Sequence, residues 1–209
     1  MARRTARHSS HICQKLRAEH GIHTSTKTQP FRTYQRKRYR RETRKSDDVG
    51  ISNKTNLIII ASGKPKIWDK SPDIGPVKAS EVYTGTFHRL SRAYAEQFAN
   101  EYLILSPKYG FLRPDDIISK TYDVRFTMKG TSADTIQLEE LKEQWQKLQI
   151  NPTEPIPMLG GKKFRGLLTS ITDGKQVFNF PLDGASGIGV MQRNLKQAIE
   201  TGIPLNRTE

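Results

Sequence analysis

The sequence contains little cysteine and no long apolar run. Cys13 is the single cysteine among 209 residues, which excludes an intrachain disulfide and a zinc site built from several cysteines. A lone thiol is typical of proteins from a reducing compartment. No apolar run approaches the ~20 residues that cross a bilayer, and the basic N-terminus lacks the apolar segment of a secretory signal. We therefore expect a soluble, cytoplasmic protein with no membrane partner.

Acidic residues are scarce in the first 46 positions. This segment holds 14 lysines and arginines but only two glutamates, so it carries +12 of the chain's +14 net charge. Clustered cations bind phosphate backbones through the release of counterions, and interleaved rings such as Tyr34 and Tyr39 can stack on unpaired bases. We predict a basic arm over residues 1–55 that binds DNA or RNA. The predicted backbone contacts are Arg32, Arg36, Lys37, Arg38, Arg40, Arg41, Arg44 and Lys45. The alternative is a disordered solubilising tail or a targeting extension, because like charges repel one another.

Metal and cofactor motifs are incomplete. The arm contains His8, His11, His20 and His23, but no set of cysteines or carboxylates accompanies them at the spacing of a closed metal site. The glycine-rich segments match neither the complete dinucleotide-binding pattern nor the complete ATP-binding P-loop. His88 is solitary, and the G-x-S-x-G motif of serine hydrolases is absent from the sequence. We therefore predict no metal and no cofactor.

Apolar patterns beyond the arm predict alternating strands and helices. Residues 57–61 and 102–105 are short apolar runs typical of buried strands, and residues 86–100 between them have helical spacing. A strand, a helix and a strand in this order form a right-handed parallel crossover. Further helices are predicted at 135–149, after 160–161 and at 190–200. A loop that enters a third strand is predicted at 152–159, and a further strand at 176–180. Because prolines interrupt it, the strand at 152–159 is expected to be short or near an edge. We predict a single three-layer α/β domain over residues 56–209, with a mostly parallel sheet of about four strands.

Four polar loops follow the predicted strands and define a candidate site. The carboxyl ends of parallel strands meet at one edge of an open α/β sheet, where such folds usually bind ligands. Glycines at the start of a helix also let backbone N–H groups approach an anion. The loops are residues 62–66, 106–110, 160–163 and 184–189. Phosphate or base contacts are predicted for Ser62, Gly63, Lys66, Tyr83, Ser106, Tyr109, Gly110, Gly160, Gly161, Gly187 and Gly189.

Three charged residues are the catalytic candidates. Lys64 and Lys108 follow neighbouring strands, where a lysine can fix a phosphate as a point charge or, when desolvated, act as a nucleophile or base. Asp123 follows the second loop and could position water or stabilise positive charge. The alternatives are ordinary surface lysines, and an aspartate that caps a helix or carries surface charge.

The strand-end segments occur in a recognisable order. The chain reads A-S-G-K-P-K from Ala61, V-Y-T from Val82, L-S-P-K-Y-G-F-L from Leu105 and Y-D from Tyr122. Across residues 56–200 this order resembles a largely uncharacterised family of small prokaryotic and phage domains, whose members read S-C-G-K-x-K, L-Y-x-S, L-S-A-K-[HY]-G-L-L and Y-D. Ser62 stands where that family commonly has cysteine, and Pro107 where it has a small residue, so thiol chemistry is not inferred.

The resemblance carries expectations about function. That family is similar to the YaaA-type peroxide-stress proteins, to the core of archaeosine synthase and, more distantly, to the uracil-DNA glycosylase-like α/β fold. It implies a nucleic-acid or nucleobase site built from Lys64, Lys108 and Asp123. We expect an enzyme that cleaves or modifies a base in DNA or RNA, with no obligate protein partner. Two alternatives stay open: a non-enzymatic DNA- or RNA-binding protein with a role in stress or in phage and mobile-element biology, and a small-nucleotide enzyme in which the arm is incidental.

Overall fold

The computed structural model describes residues 54–151 and 153–205. The eight basic candidates and the four histidines of the predicted arm lie outside these residues, so the arm and its boundary stay predictions. In chain order the elements are β1 (Thr55–Ala61), the 3-10 helix Ile67–Asp69, β2 (Val77–Lys78), α1 (Ala79–Val82), α2 (Thr86–Phe98), β3 (Ala99–Ser106), β4 (Gly110–Leu112), β5 (Ile117–Ile118), α3 (Leu138–Leu148), β6 (Ile156–Leu159), α4 (Lys163–Ile171), β7 (Phe178–Asn179) and α5 (Ile188–Thr201). None of the helices in these two ranges is long and apolar enough to cross a membrane.

Five strands form one mostly parallel sheet in the order β4-β3-β1-β6-β7. β3, β1, β6 and β7 run parallel to one another, whereas the three-residue β4 runs antiparallel to β3. β2 and β5 form a separate antiparallel pair. The prediction of a mixed α/β fold with a mostly parallel sheet is confirmed. The fifth strand exists because Gly110, at φ +75°, turns the chain back directly after β3.

Residues of β1 alternate between two hydrophobic clusters, one on each face of the sheet. Ile58 and Ile60 belong to a cluster with residues of α2 and α5, while Ile59 and Ala61 belong to a cluster with residues of α3 and α4. All four side chains are buried, and each isoleucine contributes about 1.5–3 kcal/mol of stability through burial. Helices cover both faces, which explains why residues 57–61 of β1 are continuously apolar rather than alternately apolar and polar.

The helices begin and end close to the predicted positions. The helix predicted at 86–100 ends at Phe98, because Ala99 already pairs with Thr55 as the first residue of β3. The helix predicted at 135–149 spans Leu138–Leu148. Gln137 and Glu140 cap its first turn, and Gln149 leaves it in the left-handed conformation, at φ 50°.

β6 is short, as its prolines predict, but it does not lie at an edge of the sheet. It pairs with β1 through Met158 and Leu159 and with β7 through Ile156 and Pro157. Pro157 lacks a backbone N–H and cannot donate to a neighbouring strand. A position between two strands is tolerated because β7 has only two residues, so the β6–β7 ladder is short.

Candidate functional site

The predicted loops meet at one edge of the sheet. β3, β1, β6 and β7 are parallel, so the segments that follow them all leave from their carboxyl ends. The chain continues from β1 to α2 on one face of the sheet, and from β6 to α4 on the other. The boundary between β1 and β6 is therefore a topological switch point, where open α/β sheets form a ligand crevice.

A chain of three hydroxyl groups lies beyond the ends of β1 and β3. Ser106 is fully buried, and its Oγ accepts the backbone N–H groups of Lys108 and Tyr109, each at 3.2 Å. Because both lone pairs are engaged, Ser106 donates its own proton to Tyr122 Oη at 2.9 Å. Tyr122 Oη in turn lies 2.6 Å from Tyr83 Oη. Tyr122 is thus the centre of a path along which a proton can pass between hydroxyls.

Burial keeps both tyrosines protonated. Removal from water raises the pKa of Tyr83 and of Tyr122 above the ordinary value for a phenol. Hydrogen bonds with Ser106, Tyr83 and Ser62 act in the opposite direction on the pKa of Tyr122. The half-buried ring of Tyr109 meets the Tyr122 ring edge to face, with 5.4 Å between ring centres. At neutral pH the buried Tyr83 and the partly buried Tyr122 therefore serve as hydrogen-bond donors and proton carriers rather than as bases.

Lys66 is a buried lysine beside this hydroxyl chain. Only 3% of its surface is exposed. Its Nζ donates to the carbonyl oxygen of Lys64 at 3.1 Å and lies 4.2 Å from the centre of the Tyr122 ring, within range of a cation–π interaction. Lys66 was expected to contact phosphate or base, and the structure places it between the loop after β1 and the ring of Tyr122.

The electrostatic surroundings of Lys66 favour loss of its proton. Burial is the main reason why the pKa of Lys66 is lowered, and the positive charges of Arg125 and Lys64 lower it further. The carboxylates of Asp69 and Asp123 act in the opposite direction on this pKa. Lys66 therefore transfers a proton more readily than a solvent-exposed lysine does.

His88 lies behind the loop that follows β1. It is 2% exposed, its Nδ1 donates to the carbonyl oxygen of Ala61 at 2.9 Å, and its ring centre is 4.7 Å from that of Tyr83. Its Nε2 is buried and has no hydrogen-bond partner in the described part of the chain. Burial lowers the pKa of His88 to about 4, so the ring is neutral at physiological pH. Among residues 54–151 and 153–205, no three His, Cys, Asp or Glu side chains are grouped to hold a metal ion.

The segment 122–126 crosses the sheet at its carboxyl ends. Tyr122 packs against the cluster on the α2 side, and Phe126 belongs to the cluster on the α4 side. Between them, Arg125 and Asp123 form an exposed ion pair with 3.6 Å between Nη2 and Oδ1. We call residues 62–66, 106–110, 122–126 and 160–163 together the carboxyl edge.

Lys163 holds the far end of this crossing segment. Its Nζ donates to the carbonyl oxygen of Phe126 at 3.3 Å. Burial lowers the pKa of Lys163, and the positive charge of Arg125 acts in the same direction. Arg125 thus influences the pKa of lysines on both sides of the switch point, Lys66 after β1 and Lys163 after β6.

The three predicted catalytic residues lie at the carboxyl edge with exposed side chains. Lys64 and Asp123 are exposed, and each acts electrostatically on Lys66. Lys108 is exposed as well and contacts Ser106 through its backbone N–H. Their catalytic roles stay predictions.

The predicted glycine contacts fall into three groups. Gly110 and Gly160 are needed for packing, because an added Cβ would collide with Gln144 at the first position and would lie 2.6 Å from the Phe164 ring at the second. Gly63 lies in ordinary contact, with its Cβ position 3.4 Å from Tyr83 Cβ. Three glycines have no atom within 4 Å of the Cβ position and leave room for a ligand: Gly161, Gly187 and Gly189.

Tyr122, Arg125 and Lys163 are not among the site residues predicted from the sequence. Each lies beside a predicted position: Tyr122 precedes Asp123, Arg125 follows it by two residues, and Lys163 follows the glycine pair at 160–161. Their contacts join segments that are distant in the sequence. The short motifs could have indicated these neighbours, but no local pattern reveals which of them meet.

Comparison with known proteins places the chain in a family. No solved structure matches this chain. The chain is 43% identical to the uncharacterized protein YfjM of Bacillus subtilis (strain 168) over 145 residues, which are 69% of this chain and 95% of that protein. A family model described as a family of unknown function, DUF6884, matches residues 69–197, more than half of the chain. This match contains Ser106, Tyr122 and Lys163 and begins after Lys66. The chain therefore belongs to the DUF6884 family of unknown function.

Proposed function

We propose that this protein acts on nucleic acid and that its α/β domain is an enzyme that cleaves or modifies a nucleobase. The observation that carries the proposal is buried Lys66 placed against Tyr122 at the switch point between β1 and β6. Ionisable groups with shifted pKa values in a crevice are common at catalytic sites, because the chemistry requires protons that move near neutral pH.

The hydroxyl chain suits the polar edge of a nucleobase. Hydroxyl groups both donate and accept hydrogen bonds, and the edges of bases present both kinds of partner. Tyr109 is half-buried beside Tyr122 and offers a ring on which an unpaired base can stack. In this proposal the base stacks near Tyr109 and exchanges hydrogen bonds with Tyr122 or Ser62.

The residues at the site can account for each proton that moves when a glycosidic bond is cleaved. The bond between the sugar C1′ and the base nitrogen breaks, its electron pair stays on the base, and the Lys66 ammonium supplies the proton that neutralises the departing base. A water molecule forms the new bond to C1′, and Asp123 takes the proton that this water releases. The products are the free base and a sugar that carries a hydroxyl at C1′. The surface position of Asp123 gives its carboxylate access to water.

Two features of the sequence support a nucleic-acid substrate. The first 46 residues carry +12 of the net charge, which favours binding to a phosphate backbone. The strand-end motifs resemble an uncharacterised family that is similar to YaaA-type proteins, to the archaeosine synthase core and, more distantly, to the uracil-DNA glycosylase-like fold, and this resemblance supports chemistry on a base.

The test is a search for a released or altered base. The full-length protein is incubated with single-stranded DNA, double-stranded DNA and tRNA, and the products are identified by mass spectrometry. Lys66→Met keeps the apolar stem of the side chain and removes the amine, so we expect product formation to fall at least about 100-fold, as for the loss of a general acid. Lys54→Met is the matched control, because Lys54 is exposed beside the opposite end of β1.

The outcome is read together with the folding of each variant. The unfolding midpoint of Lys66→Met shows whether a loss of product comes from unfolding. A folded Lys66→Met protein that forms product at the wild-type rate would remove Lys66 from the mechanism. Absence of any released or altered base with all three nucleic acids would remove the enzyme proposal.

A non-enzymatic nucleic-acid-binding protein is the second candidate. The observation that favours it is the concentration of positive charge in residues 1–46, since this charge is sufficient for binding that does not depend on sequence. If this candidate is correct, replacing the eight basic residues between Arg32 and Lys45 by glutamine abolishes binding, whereas Lys66→Met binds as the wild type does and neither protein releases a base.

A further inference from the structure

Three cations, from three separate parts of the chain, lie along the crossing segment formed by residues 122–126. Lys66 contacts the aromatic ring at its start, and Lys163 contacts the backbone carbonyl at its end. Arg125 lies within the segment and is exposed. The strands that precede the two lysines, β1 and β6, are adjacent and parallel. The three cations therefore flank one crevice, at the place where the connections of the sheet diverge.

Lys66, Lys163 and the charged groups that act on their pKa values together include more cations than carboxylates. The cations are Lys64, Lys66, Arg125 and Lys163, and the carboxylates are Asp69 and Asp123. Asp69 accepts the backbone N–H of Lys66 at 2.9 Å. Asp123 is 74% exposed, and its pair with Arg125 is of the kind that contributes little in water. The crevice thus keeps an excess of positive charge.

A bound anion would offset the free-energy cost of holding the ammonium groups of Lys66 and Lys163 in this crevice. Within residues 54–151 and 153–205, neither Lys66 nor Lys163 has a carboxylate within ion-pair distance. Burying an ammonium group without an opposite charge is unfavourable, and the lowered pKa values of both lysines reflect this cost. A bound anion supplies the missing opposite charge to both lysines at once.

We propose that Arg125, Lys163 and Lys66 form a binding site for a phosphate group. Arg125 and Lys163 donate hydrogen bonds to the phosphate oxygens, and the buried Lys66 contributes its charge from beneath. Gly161 leaves the approach open, since no atom lies within 4 Å of its Cβ position. The assignment of this phosphate to the nucleotide whose base meets the hydroxyl chain rests on the proposed function.

The test measures phosphate binding in the full-length protein, independently of any reaction. The thermal unfolding midpoint is followed with rising inorganic phosphate and, in parallel, with sodium chloride at matched ionic strength and pH. At a phosphate concentration tenfold above its dissociation constant, we expect a rise of about 3 to 6 °C over chloride. The double variant Arg125→Gln with Lys163→Gln is expected to lose this rise. The matched double variant Lys54→Gln with Lys147→Gln removes two exposed lysines and is expected to keep it.

Several outcomes would overturn the site. One is a wild-type midpoint that rises equally in phosphate and chloride. Another is a rise that the Arg125 and Lys163 double variant retains. If that variant fails to fold, each single variant is measured instead, together with the backbone amide NMR shifts of Gly161 and Arg125 in the wild type. Shifts that do not respond to phosphate would then exclude the site.

Nucleotide probes distinguish the source of the phosphate. A nucleoside 5′-monophosphate is expected to raise the wild-type midpoint where the corresponding nucleoside does not. Competition by a single-stranded oligonucleotide would assign the site to the backbone of a strand, and absence of competition would assign it to a free nucleotide. Phosphate binding without base release would retain this site while the proposed enzyme fails. If the protein released a base but phosphate had no specific effect on its unfolding midpoint, the proposed enzyme would stand and the proposed phosphate site would be wrong.

Discussion

The two edges of the main sheet differ in how their polar groups are held. At the amino edge, near the starts of β1 and β3, a cavity of about 500 Å³ is lined by Leu57, Tyr102, Glu101, Asp115 and Asp116 among others. At the carboxyl edge, buried hydroxyls and a buried lysine contact one another beneath a crossing segment. Both edges are polar, but only the carboxyl edge coincides with the switch point of the sheet.

Two carboxylates at the amino edge, those of Asp115 and Asp116, have partners near the surface. Asp115 pairs with Lys78 at 2.6 Å, and both side chains are largely exposed. Asp116 accepts the backbone N–H of Arg113 at 2.7 Å. The first contact is an exposed ion pair that water screens, and the second closes a turn. The comparison teaches that a cavity alone is weak support for a functional site, whereas ionisable groups buried away from water with shifted pKa values mark a candidate site.

The largest expected effect distinguishes two tyrosines, one at each edge. Tyr122→Phe removes the hydroxyl at the centre of the chain, so we expect the proposed base chemistry to fall by about 10²- to 10⁴-fold. Tyr102→Phe removes a buried hydroxyl at the amino edge, where burial raises the pKa of Tyr102 to about 12, and should leave the rate nearly unchanged. Product formation by mass spectrometry is the measurement. If product formation fell equally in the two variants, the proposed difference between the two edges would be wrong.

A pH dependence of stability should arise from His88. Its folded pKa of about 4 lies below the ordinary 6.5, so the unfolded chain binds a proton between these values and the folded chain does not. Stability therefore falls as the pH drops from 6.5 to 4, by about 3 kcal/mol in total. His88→Gln cannot take up this proton, and its free energy of unfolding should change less over the same interval.

Urea unfolding of both proteins at several pH values measures this difference. Because His88→Gln could fail to fold, NMR titration of the wild-type His88 ring provides an independent measurement. A ring that titrates near its ordinary pKa would contradict the prediction.

Two fully buried serines, Ser106 and Ser91, differ in whether their hydroxyl groups make hydrogen bonds, and their alanine variants test the effect of this difference on stability. Ser106 makes three hydrogen bonds at the carboxyl edge, so Ser106→Ala leaves two backbone N–H groups without their acceptor and should cost about 1–3 kcal/mol. Ser91 is equally buried, but its hydroxyl has no hydrogen-bond partner in the described residues. Ser91→Ala should therefore be neutral or stabilising. Denaturant midpoints of the two variants measure the contrast, and a larger loss for Ser91→Ala would reverse it.

The smallest effect is expected at the amino edge. Lys78→Gln breaks the exposed pair with Asp115, which salt and water already screen. We expect a small change in the unfolding midpoint at low salt that disappears at high salt. A large change that persists at high salt would show that the amino edge holds its charges as firmly as the carboxyl edge does.

Much of the fold could be predicted because its signals are local. The apolar run in β1 and the helical spacing in α2 depend on neighbouring residues, and both elements occur within a few residues of their predicted positions. The sequence also predicted that the loops after the strands meet at one edge of the sheet, because parallel strands all end at the same edge. β4 and the β2–β5 pair were not predicted, because strands of two or three residues have too short a pattern to detect.

Several residues of the candidate site were predicted from the sequence, but the contacts that join them were not. Ser106 and Tyr83 were expected at the site, and they are joined there by Tyr122, which is 16 residues from Ser106 and 39 from Tyr83 in the sequence. Arg125 and Lys163 are likewise brought close by the crossing segment. Contacts between distant segments depend on how the loop packs across the sheet, and no local periodicity encodes that packing.

The sequence by itself determined the class of the fold, the order of its main strands and helices, and the concentration of positive charge in the first 46 residues. Only the tertiary structure decided which lysine of the loop after β1 is buried. Lys64 and Lys66 lie two positions apart in the same loop, yet Lys64 is exposed and Lys66 is buried. The physical reason is that the Tyr122 ring, from a distant segment, packs over the ammonium of Lys66 and excludes water from it.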